Sequence, residues 1–572
     1  MGSRTGARMT LRLPKDAQAT LDPLVERATR DRWAARLFDR DASLWTDDPA
    51  VASAIGDRLG WLDAPAHFSL NAPALEGFGD GIREAGFDNA VVMGMGGSSL
   101  APDILHRTFG TTEGYLGLRI LDSTDPVAVA ATVDDLDPLE TLWIVASKSG
   151  TTTEPLAFMA DAWARVEAAL EERDADQRPG EFFAAITDPG KSLASIPHHD
   201  ELREQFLNPP DVGGRYSALT YVGLAPASLI GIDVDALLKA GSTMLDACRT
   251  ADARGNPGLL LGLAIGSLAK AGRDKLTFLS DPGISSFGAW AEQLIAESTG
   301  KHGIGIVPVD LEPLRDAKAY GADRVFVNLT LASGEAEPSD GGRRALLDRL
   351  EQAGHPVIRI ELDDPIDLAG EAIRWEVATA FAGAVLGIDP FDQPNVEEAK
   401  ELTRRVLASG TAEAGDEPDP DAIQLRGHDE DSLAKLLRPT LAGLKVPSYV
   451  AIQAFIAPSA AVDEQIAGIR TALASTGCAT TAGYGPRFLH STGQLHKGGP
   501  PTGVFLQLTA DHPVDRPIPG WPYTFGRLID AQARGDREAL RAHDRPVVRV
   551  HLGDDLAGDL AVLERAVRRA LG

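Results

Sequence analysis

The stretch that decides the fold lies at residues 142–155 and reads LWIVASKSGTTTEP. It begins with four bulky apolar residues of strand character and continues with residues that are mostly small or carry hydroxyl groups. A helix-forming segment follows, so the pattern predicts a buried strand, a hydroxyl-rich loop and a helix. Backbone N–H groups and the positive end of a helix dipole meet in such a loop and bind phosphate. The alternative is an ordinary Ser/Thr-rich turn with a helix cap.

The alternation of strand, glycine-rich turn and helix extends along most of the chain. It predicts the α/β class, with parallel sheets between layers of helices. Residues 15–62 instead carry apolar positions at helical spacing and predict a helical N-terminal layer. The predicted strands fall in three series: 90–95, 118–121, 142–146 and 182–187; 276–279, 304–307, 324–327 and 357–362; 449–455, 478–482, 503–508 and 547–551.

Domain boundaries follow from these series and from one low-complexity acidic stretch after residue 408. The third series is either a small domain of its own or the completion of a neighbouring sheet. We predict five segments: a helical N-terminal segment (1–65), two α/β units (66–254 and 255–408), an acidic linker (409–425) and a C-terminal α/β extension (426–572).

Composition and net charge argue against several classes of partner and site. The 572 residues carry a net charge of −28, which argues against nucleic acid or an anionic membrane as a partner. An anionic substrate therefore needs a local positive pocket. The two cysteines, Cys248 and Cys478, share no short motif with histidine, which argues against a disulfide framework or a structural zinc site. The N-terminus has no apolar signal core, and the longest apolar run, 259–268, is too short for a membrane helix, so we expect a soluble cytoplasmic protein.

Three further motifs carry candidate chemistry. The turn GMGGSS at 94–99 lacks the third glycine of a dinucleotide loop, so its glycines more simply allow close approach to a small ligand. Arg215 follows paired glycines and is either a rigidly held oxyanion ligand or a surface turn arginine. Gln293 and Glu297 share one face of a helix that ends at Gly300. A carboxylate at a helix C-terminus favours its protonated form, which suits a base, although a solvated glutamate paired with a nearby lysine is equally consistent.

Five short motifs occur in the order found in glucose-6-phosphate isomerases, so residues 65–405 resemble that family. They are Gly96-Gly97-Ser98, residues 147–152, residues 213–217, residues 293–301 and Gln393-Pro394-x-Val396-Glu397-x-x-Lys400. The resemblance implies two sugar-isomerase (SIS) subdomains, each a parallel sheet between helices. It also implies a homodimer and a reaction that interconverts glucose 6-phosphate and fructose 6-phosphate without metal or organic cofactor. The C-terminal extension is similar to that of isomerases fused behind a transaldolase, although no barrel precedes it here.

The resemblance also implies roles for individual residues. Glu297 matches the base that moves a proton between C1 and C2, Arg215 the group that stabilises the enediolate, and Lys400 a lysine that assists ring opening. Without the resemblance, Lys400 is an ordinary helix-surface partner of Glu397. The phosphate and sugar contacts would come from Ser147, Lys148, Ser149, Gly150, Thr151, Thr152, Gly97, Ser98 and Gln293.

One motif departs from the family pattern. The family carries a ring-opening histidine in a Gly-Gln-His motif between the glutamate and the lysine, and this chain has none there. The sequence HSTGQLHKGG at 490–499 offers Gly-Gln followed, after one inserted residue, by His496. We predict that His496 opens the ring, in its own subunit or across a dimer, with His490 as the second candidate and Lys497 as an assisting group. The alternative is a loop histidine with a packing role.

Two other functions stay open at this point. One is isomerisation of a mannose or aminosugar phosphate, and the other is a sugar-phosphate sensor without turnover. Such sensors pair a SIS domain with a DNA-binding module, for which the acidic chain offers no basic patch. A sensor also has no use for the Glu297–Lys400 pair, so the isomerase is the stronger prediction.

Overall fold

The computed structural model describes residues 7–332, 340–408 and 422–572. Its N-terminal part is mainly helical, as predicted, but begins with a strand. This part comprises β1 (Ala7–Arg12), α1 (Lys15–Arg30), α2 (Trp33–Phe38), α3 (Pro49–Gly56), α4 (Ala64–Ser69) and α5 (Ala72–Glu84).

The first sheet has the predicted strand–helix alternation. Its elements are β2 (Asn89–Gly94), α6 (Gly97–Phe109), β3 (Gly117–Leu121), α7 (Pro126–Val133), β4 (Thr141–Ala146), α8 (Thr153–Glu172), β5 (Phe183–Thr187), α9 (Lys191–Ala194) and β6 (Glu204–Leu207). The strands are parallel, in the order β3-β2-β4-β5-β6. Every residue of β4 is buried, as expected for a strand covered by helices on both faces.

The second sheet follows after three helices. The elements are α10 (Tyr221–Leu229), α11 (Val234–Ala247), α12 (Pro257–Lys270), β7 (Lys275–Ser280), α13 (Phe287–Thr299), β8 (Val307–Val309), β9 (Arg324–Leu331), α14 (Asp340–Gln352), β10 (Val357–Leu362), α15 (Leu368–Leu386) and α16 (Val396–Ala408). The order is β1-β10-β9-β7-β8, and β1 pairs antiparallel with β10 at the edge. The sequence reading therefore missed that the N-terminus completes this sheet.

The C-terminal extension forms a sheet of its own. Its elements are β11 (Ile423–Gln424), α17 (Glu430–Leu441), β12 (Tyr449–Phe455), α18 (Ala460–Ala474), β13 (Ala479–Tyr484), α19 (Gly493–Gly498), β14 (Gly503–Ala510), α20 (Phe525–Ala542), β15 (Val547–Leu552) and α21 (Leu556–Leu571). The strands are parallel in the order β11-β15-β14-β12-β13. The extension does not complete a neighbouring sheet, which was the other alternative left by the sequence.

Most predicted strands lie where the structure has them, but two local predictions differ. A strand expected at 304–307 is wrong by three residues, because Ile304 closes a tight turn with Lys301 through reciprocal backbone hydrogen bonds of 3.0 and 3.1 Å. The edge strands β6 and β11 were not predicted, and β11 lies within the segment predicted as the acidic linker (409–425). Most of the predicted acidic linker, residues 409–421, lies outside the described residues. Within the described ranges, no helix combines the length and apolar character needed to cross a membrane.

The extension has a hydrophobic core of its own but also shares apolar contacts with the rest. The first two sheets and the N-terminal helices share a large apolar core, and the third sheet packs another from Leu425 to Ala570. A smaller buried cluster joins Ala296 and Val307 of the second unit to Tyr449, Leu495 and Phe505 of the extension. The exact domain limits given above stay a prediction.

A buried carboxylate fastens the extension to the second sheet. Glu312 Oε1 and Oε2 accept hydrogen bonds from both terminal nitrogens of Arg324 at 3.0 and 2.9 Å. Oε1 also accepts from the backbone N–H of Thr480, on β13, at 2.8 Å. Burial works to raise the pKa of Glu312, but the paired arginine keeps that pKa below its usual value. A paired and hydrogen-bonded charge thus joins the extension to the second sheet.

We expect Glu312→Ala to lower the free energy of unfolding by about 3–5 kcal/mol, because it leaves the buried Arg324 without its partner. Urea unfolding monitored by circular dichroism measures the change. Glu84→Ala is the control, because Glu84 is exposed on α5 and its loss changes stability by less than about 0.5 kcal/mol. Equal stability of the two variants would contradict this role.

Candidate active site

A cavity of about 610 Å³ lies where the three units meet. It collects side chains from the loops after β2 and β4, from α13 and α16, and from the extension. All of the predicted site residues except Gly150 and His496 line it: Gly97, Ser98, Ser147, Lys148, Ser149, Thr151, Thr152, Arg215, Gln293, Glu297, Lys400, His490 and Lys497.

The hydroxyl-rich loop 147–152 turns back on itself between β4 and α8. Ser147 donates to the hydroxyl of Thr152 at 3.0 Å, and the hydroxyls of Ser149 and Thr151 lie 2.9 Å apart. Gly150 has φ +65°, and a Cβ there would lie 1.8 Å from the carbonyl oxygen of Ser192. Gly150 therefore shapes the loop from behind the cavity. The loop sits at the N-terminus of a long helix, which favours the predicted phosphate site over a plain turn.

Lys148 already has partners in this loop. Its Nζ donates to Asp188 Oδ2 at 2.5 Å and to the carbonyl of Pro210 at 2.9 Å. Its positive charge is therefore balanced by a carboxylate that also lines the cavity.

Glycines bring two turns together on the opposite side. A Cβ on Gly97 would lie 2.0 Å from the carbonyl oxygen of Gly214, and one on Gly96 would lie 2.6 Å from Nε2 of Gln293. Only glycine permits this contact, which sets the paired glycines before Arg215 against the start of α6. The close approach explains why both turns are glycine-rich.

Arg215 is rigidly held at the cavity wall and is not a surface turn arginine. Its Nε donates to Ser298 at 2.7 Å, one Nη to Gln393 at 2.6 Å, and the other Nη to the carbonyls of Pro390 and Asp392 at 2.8 and 3.0 Å. These bonds use four of the five N–H donors and leave one without a partner in the described part of the chain. That donor is available to a negatively charged oxygen in the cavity.

Glu297 is buried at the C-terminal end of α13, with 4% of its surface exposed. Its Oε1 accepts the backbone N–H of Gln494 at 3.0 Å. Burial raises the pKa of Glu297, and the Gln494 hydrogen bond only partly opposes the rise. The paired arrangement with Lys301 that the sequence left open is not present, because Lys301 Nζ instead contacts Asp389 and Asp392.

Gln494 also locks the extension to the second unit. Its side chain donates to the carbonyl of Gly300 at 2.9 Å and to Asn395 at 2.8 Å, and it accepts the N–H of Asn395 at 2.8 Å. A Cβ on Gly300 would lie 2.4 Å from the Cα of Leu495. Helix α19 therefore packs directly on the end of α13, beside Glu297.

The structure does not bring His496 to the cavity, which corrects the prediction that this residue opens the ring. Its ring is buried among the aromatic rings of Tyr449, Phe488 and Phe505, and Gln453 Nε2 lies 3.3 Å from its Nδ1. Burial lowers the pKa of His496 well below its usual value. The residue lies on the inner face of α19, so the packing role is the one that the geometry supports.

His490, the second candidate, lines the cavity. Its Nε2 lies 3.1 Å from Glu154 Oε1, and Gln532 Nε2 donates to the same oxygen at 2.6 Å. Burial works to raise the pKa of Glu154, but its contact with His490 holds that pKa below the usual value. A carboxylate on one ring nitrogen fixes the orientation of the imidazole and leaves Nδ1 for a ligand.

The two predicted lysines occupy different environments. Lys400 lines the cavity with Thr403, Arg404 and Leu407, which follow at helical spacing on α16. Its charge contributes to lowering the pKa of Glu154. Lys497 is buried and its Nζ donates to Asp536 at 2.7 Å, so its charge is already paired.

Some lining residues were missed by the sequence analysis. Glu154 stands inside the quoted stretch and was readable there as a polar residue in the first turn of a helix. Arg58, Tyr523 and Gln532 have no local signal, because only the packing of distant segments brings them to the cavity.

Known proteins are similar in sequence to the part of this chain that carries the loop 147–152, Arg215 and Glu297. The phosphoglucose isomerase family model matches residues 76–306, which include the loop 147–152, Arg215 and Glu297. The glucose-6-phosphate isomerase of Rubrobacter xylanophilus is 30% identical over 406 residues, covering 62% of this chain and 90% of that protein. The chain belongs to the glucose-6-phosphate isomerase family. Lys400, His490 and Lys497 lie outside the family-model match, and the likeness to transaldolase-fused members stays a prediction.

Solved structures share the fold. A glucose-6-phosphate isomerase from Chlamydia trachomatis aligns with a TM-score of 0.53 at 20% identity, covering 72% of this chain and 90% of that one. A hypothetical protein from Thermus thermophilus aligns with a TM-score of 0.57 at 25% identity, covering 70% of this chain and all of the other. The predicted arrangement of parallel sheets between helices is confirmed.

We expect Gly150→Ala to weaken binding of inorganic phosphate at least about tenfold, because the new Cβ forces the loop away from Ser192 and strains a positive φ. Calorimetric titration with phosphate measures the affinity. Gly77→Ala is the matched control, since nothing lies within 4 Å of its Cβ position on α5. Unchanged phosphate affinity in Gly150→Ala would contradict the assignment of the loop.

Proposed function

We propose that this chain interconverts glucose 6-phosphate and fructose 6-phosphate, a step of glycolysis and gluconeogenesis, with Glu297 as the proton-transferring base. The observation that carries the proposal is a buried carboxylate of raised pKa in the same cavity as a phosphate-type loop and a rigid arginine. A base needs a pKa nearer neutrality, and burial supplies it.

Ring opening requires a proton donor at the ring oxygen and a base at the anomeric hydroxyl. His490 and Lys400 line the cavity and are assigned these two tasks together. Glu154 contacts Nε2 of His490 and itself accepts a hydrogen bond from Gln532. Nδ1 of the imidazole therefore faces the sugar in a fixed orientation. The phosphate, held at the loop 147–152, positions the opened chain so that C1 and C2 lie at Glu297.

Isomerisation then moves one proton. Oε2 of Glu297 removes the proton from C2 of the open aldose, because Oε1 is occupied by the Gln494 N–H. The C–H electrons form a C1=C2 double bond, and the carbonyl electrons move to O1, where the remaining N–H of Arg215 stabilises the charge. Return of the proton to C1, with transfer of the O2 proton to O1, gives the ketose.

Gln293 is assigned to the sugar hydroxyls. Its Nε2 donates to the carbonyl of His490 at 2.6 Å, whereas its buried Oε1 finds no hydrogen-bond partner among residues 7–332, 340–408 and 422–572. A buried acceptor without a partner costs free energy that a substrate hydroxyl removes. Such a contact orients the substrate without contributing charge.

Family membership and a group for each chemical step favour the isomerase over a sensor that only binds. The glucose-6-phosphate isomerases among the relatives favour glucose 6-phosphate over the alternative substrate, a mannose or aminosugar phosphate. The homodimer, the cytoplasmic location and the absence of a cofactor or metal stay predictions.

We expect Glu297→Gln to lower the turnover of fructose 6-phosphate by about 10²–10⁴-fold, because the amide cannot accept the C2 proton. A coupled glucose-6-phosphate dehydrogenase assay measures the rate. Glu84→Gln, at an exposed position on α5, is the control. The pH profile of kcat/KM adds a second readout. Activity falls as the pH drops through the raised pKa of Glu297, so the acid limb lies above the ordinary pKa of a glutamate. A wild type without turnover, or a variant that keeps it, contradicts the proposal.

His490→Ala and His496→Ala separate the two candidate histidines. We expect His490→Ala to lower kcat/KM about 10²-fold, because the ring-opening group is lost. His496→Ala should lower the melting temperature, since it leaves a void among aromatic rings, and reduce kcat/KM by less than about tenfold. A larger loss of kcat/KM in His496→Ala than in His490→Ala would assign ring opening to His496 instead.

A further inference from the structure

The charge at the phosphate loop needs a second cation. The serine and threonine hydroxyls and the backbone N–H groups carry no net charge, and Lys148 is neutralised by Asp188 at 2.5 Å. A phosphate monoester is close to dianionic at neutral pH, and the chain as a whole carries −28. Without a positive charge at the loop, the negative charge of the whole chain repels the phosphate at long range.

Arg58 is positioned to supply that charge. It lines the cavity although it belongs to the N-terminal helical layer, far in sequence from the loop. The following residues are fastened to the turn that also accepts a hydrogen bond from Lys148: Leu59 forms a β-bridge with Val212, and Gly60 N–H donates to the carbonyl of Asp211 at 3.1 Å.

The contact between these segments fixes the backbone next to Arg58. A Cβ on Gly60 would lie 2.2 Å from Oδ1 of Asp211, so the two segments are packed without space for a further side chain. Arg58 is near enough to Asp188 that its charge opposes the rise that burial gives the pKa of that carboxyl. The guanidinium and the Lys148–Asp188 pair thus form one cluster at the edge of the loop.

We propose that Arg58 binds the phosphate of the substrate and makes the cavity selective for dianionic phosphate monoesters. The guanidinium donates two N–H groups to phosphate oxygens and supplies the charge that the Lys148–Asp188 pair does not. The inference rests on the proposed function for the identity of the sugar, but phosphate binding is measurable without turnover.

The other cations that line the cavity have different positions. Arg215 is bonded to Ser298, Gln393 and two carbonyls, and Lys497 is paired with Asp536. Lys400 acts on Glu154, at the start of α8 and beside His490. Arg404, on α16, donates to Glu401 Oε2 at 2.7 Å. Arg58 joins Lys148 in acting on Asp188, and the charge balance of the phosphate loop therefore depends on it.

We expect Arg58→Ala to raise KM for fructose 6-phosphate about tenfold while kcat changes by less than about twofold, because the phosphate contact is equal in ground and transition states. The inhibition constant of inorganic phosphate should rise by the same factor, and Arg58→Lys should restore part of both. Arg30→Ala is the control, since Arg30 is an exposed arginine on α1 whose Nε contacts Asp31. An unchanged KM and phosphate inhibition constant in Arg58→Ala overturn the proposal.

A charge-compensation test separates a charge role from a structural one. Asp188→Asn releases the charge of Lys148, so the double variant Arg58→Ala with Asp188→Asn should recover phosphate affinity relative to Arg58→Ala alone. A purely structural role of Arg58 predicts no recovery, and that result overturns the charge assignment. The increase in melting temperature produced by inorganic phosphate reports on the same binding in all variants. A protein whose melting temperature rises with phosphate but that shows no turnover contradicts the proposed function. In that case, the phosphate affinities of the variants alone decide whether Arg58 binds phosphate.

Discussion

The contact between α13 and α19 is the constraint on which the site depends. Gly300 ends α13 without a side chain, and Leu495 of α19 occupies the space that a Cβ would take. The contact delivers the backbone N–H of Gln494 to Glu297, and the segment just before α19 carries His490 to the same cavity. The extension therefore completes a cavity whose hydroxyl-rich loop and buried glutamate belong to the other two sheets. Any movement of this contact displaces Glu297 and His490 together.

The pKa values and the local charge in the cavity depend on burial and ion pairing more than on the net charge of the chain. The chain is strongly acidic, yet its cavity places Arg215, Lys148 and Lys400 around an anion site. Glu297 has a raised pKa because burial outweighs the hydrogen bond that it accepts from one backbone N–H. Glu154, equally buried, keeps a lowered pKa because it contacts His490. Two carboxylates of the same cavity thereby have pKa values shifted in opposite directions.

Local sequence signals predicted the sheets well because they depend on short-range chemistry. The apolar run 142–146 and the hydroxyl-rich loop that follows it each need only a few adjacent residues. β1 was missed because its pairing with β10 joins residues about 350 apart in the sequence, and nothing in its own six residues requires a sheet partner. The strand at 304–307 was misplaced because the turn that Lys301 forms with Ile304 shifted the start of β8.

The sequence by itself determined the fold class, the hydroxyl-rich loop and the identity of Arg215 and Glu297 as candidates, since each stands in a motif of a few residues. Only the tertiary structure showed that His490 lines the cavity and that His496, six positions further along the same segment, does not. Helix α19 turns His496 inward among aromatic rings, whereas the segment before it points His490 at Glu154. The same holds for Arg58 and Gln532, whose neighbours at the cavity lie far from them in the sequence. Spacing along a chain fixes which residues share a local element, but the direction in which an element faces is set by the surfaces that pack against it.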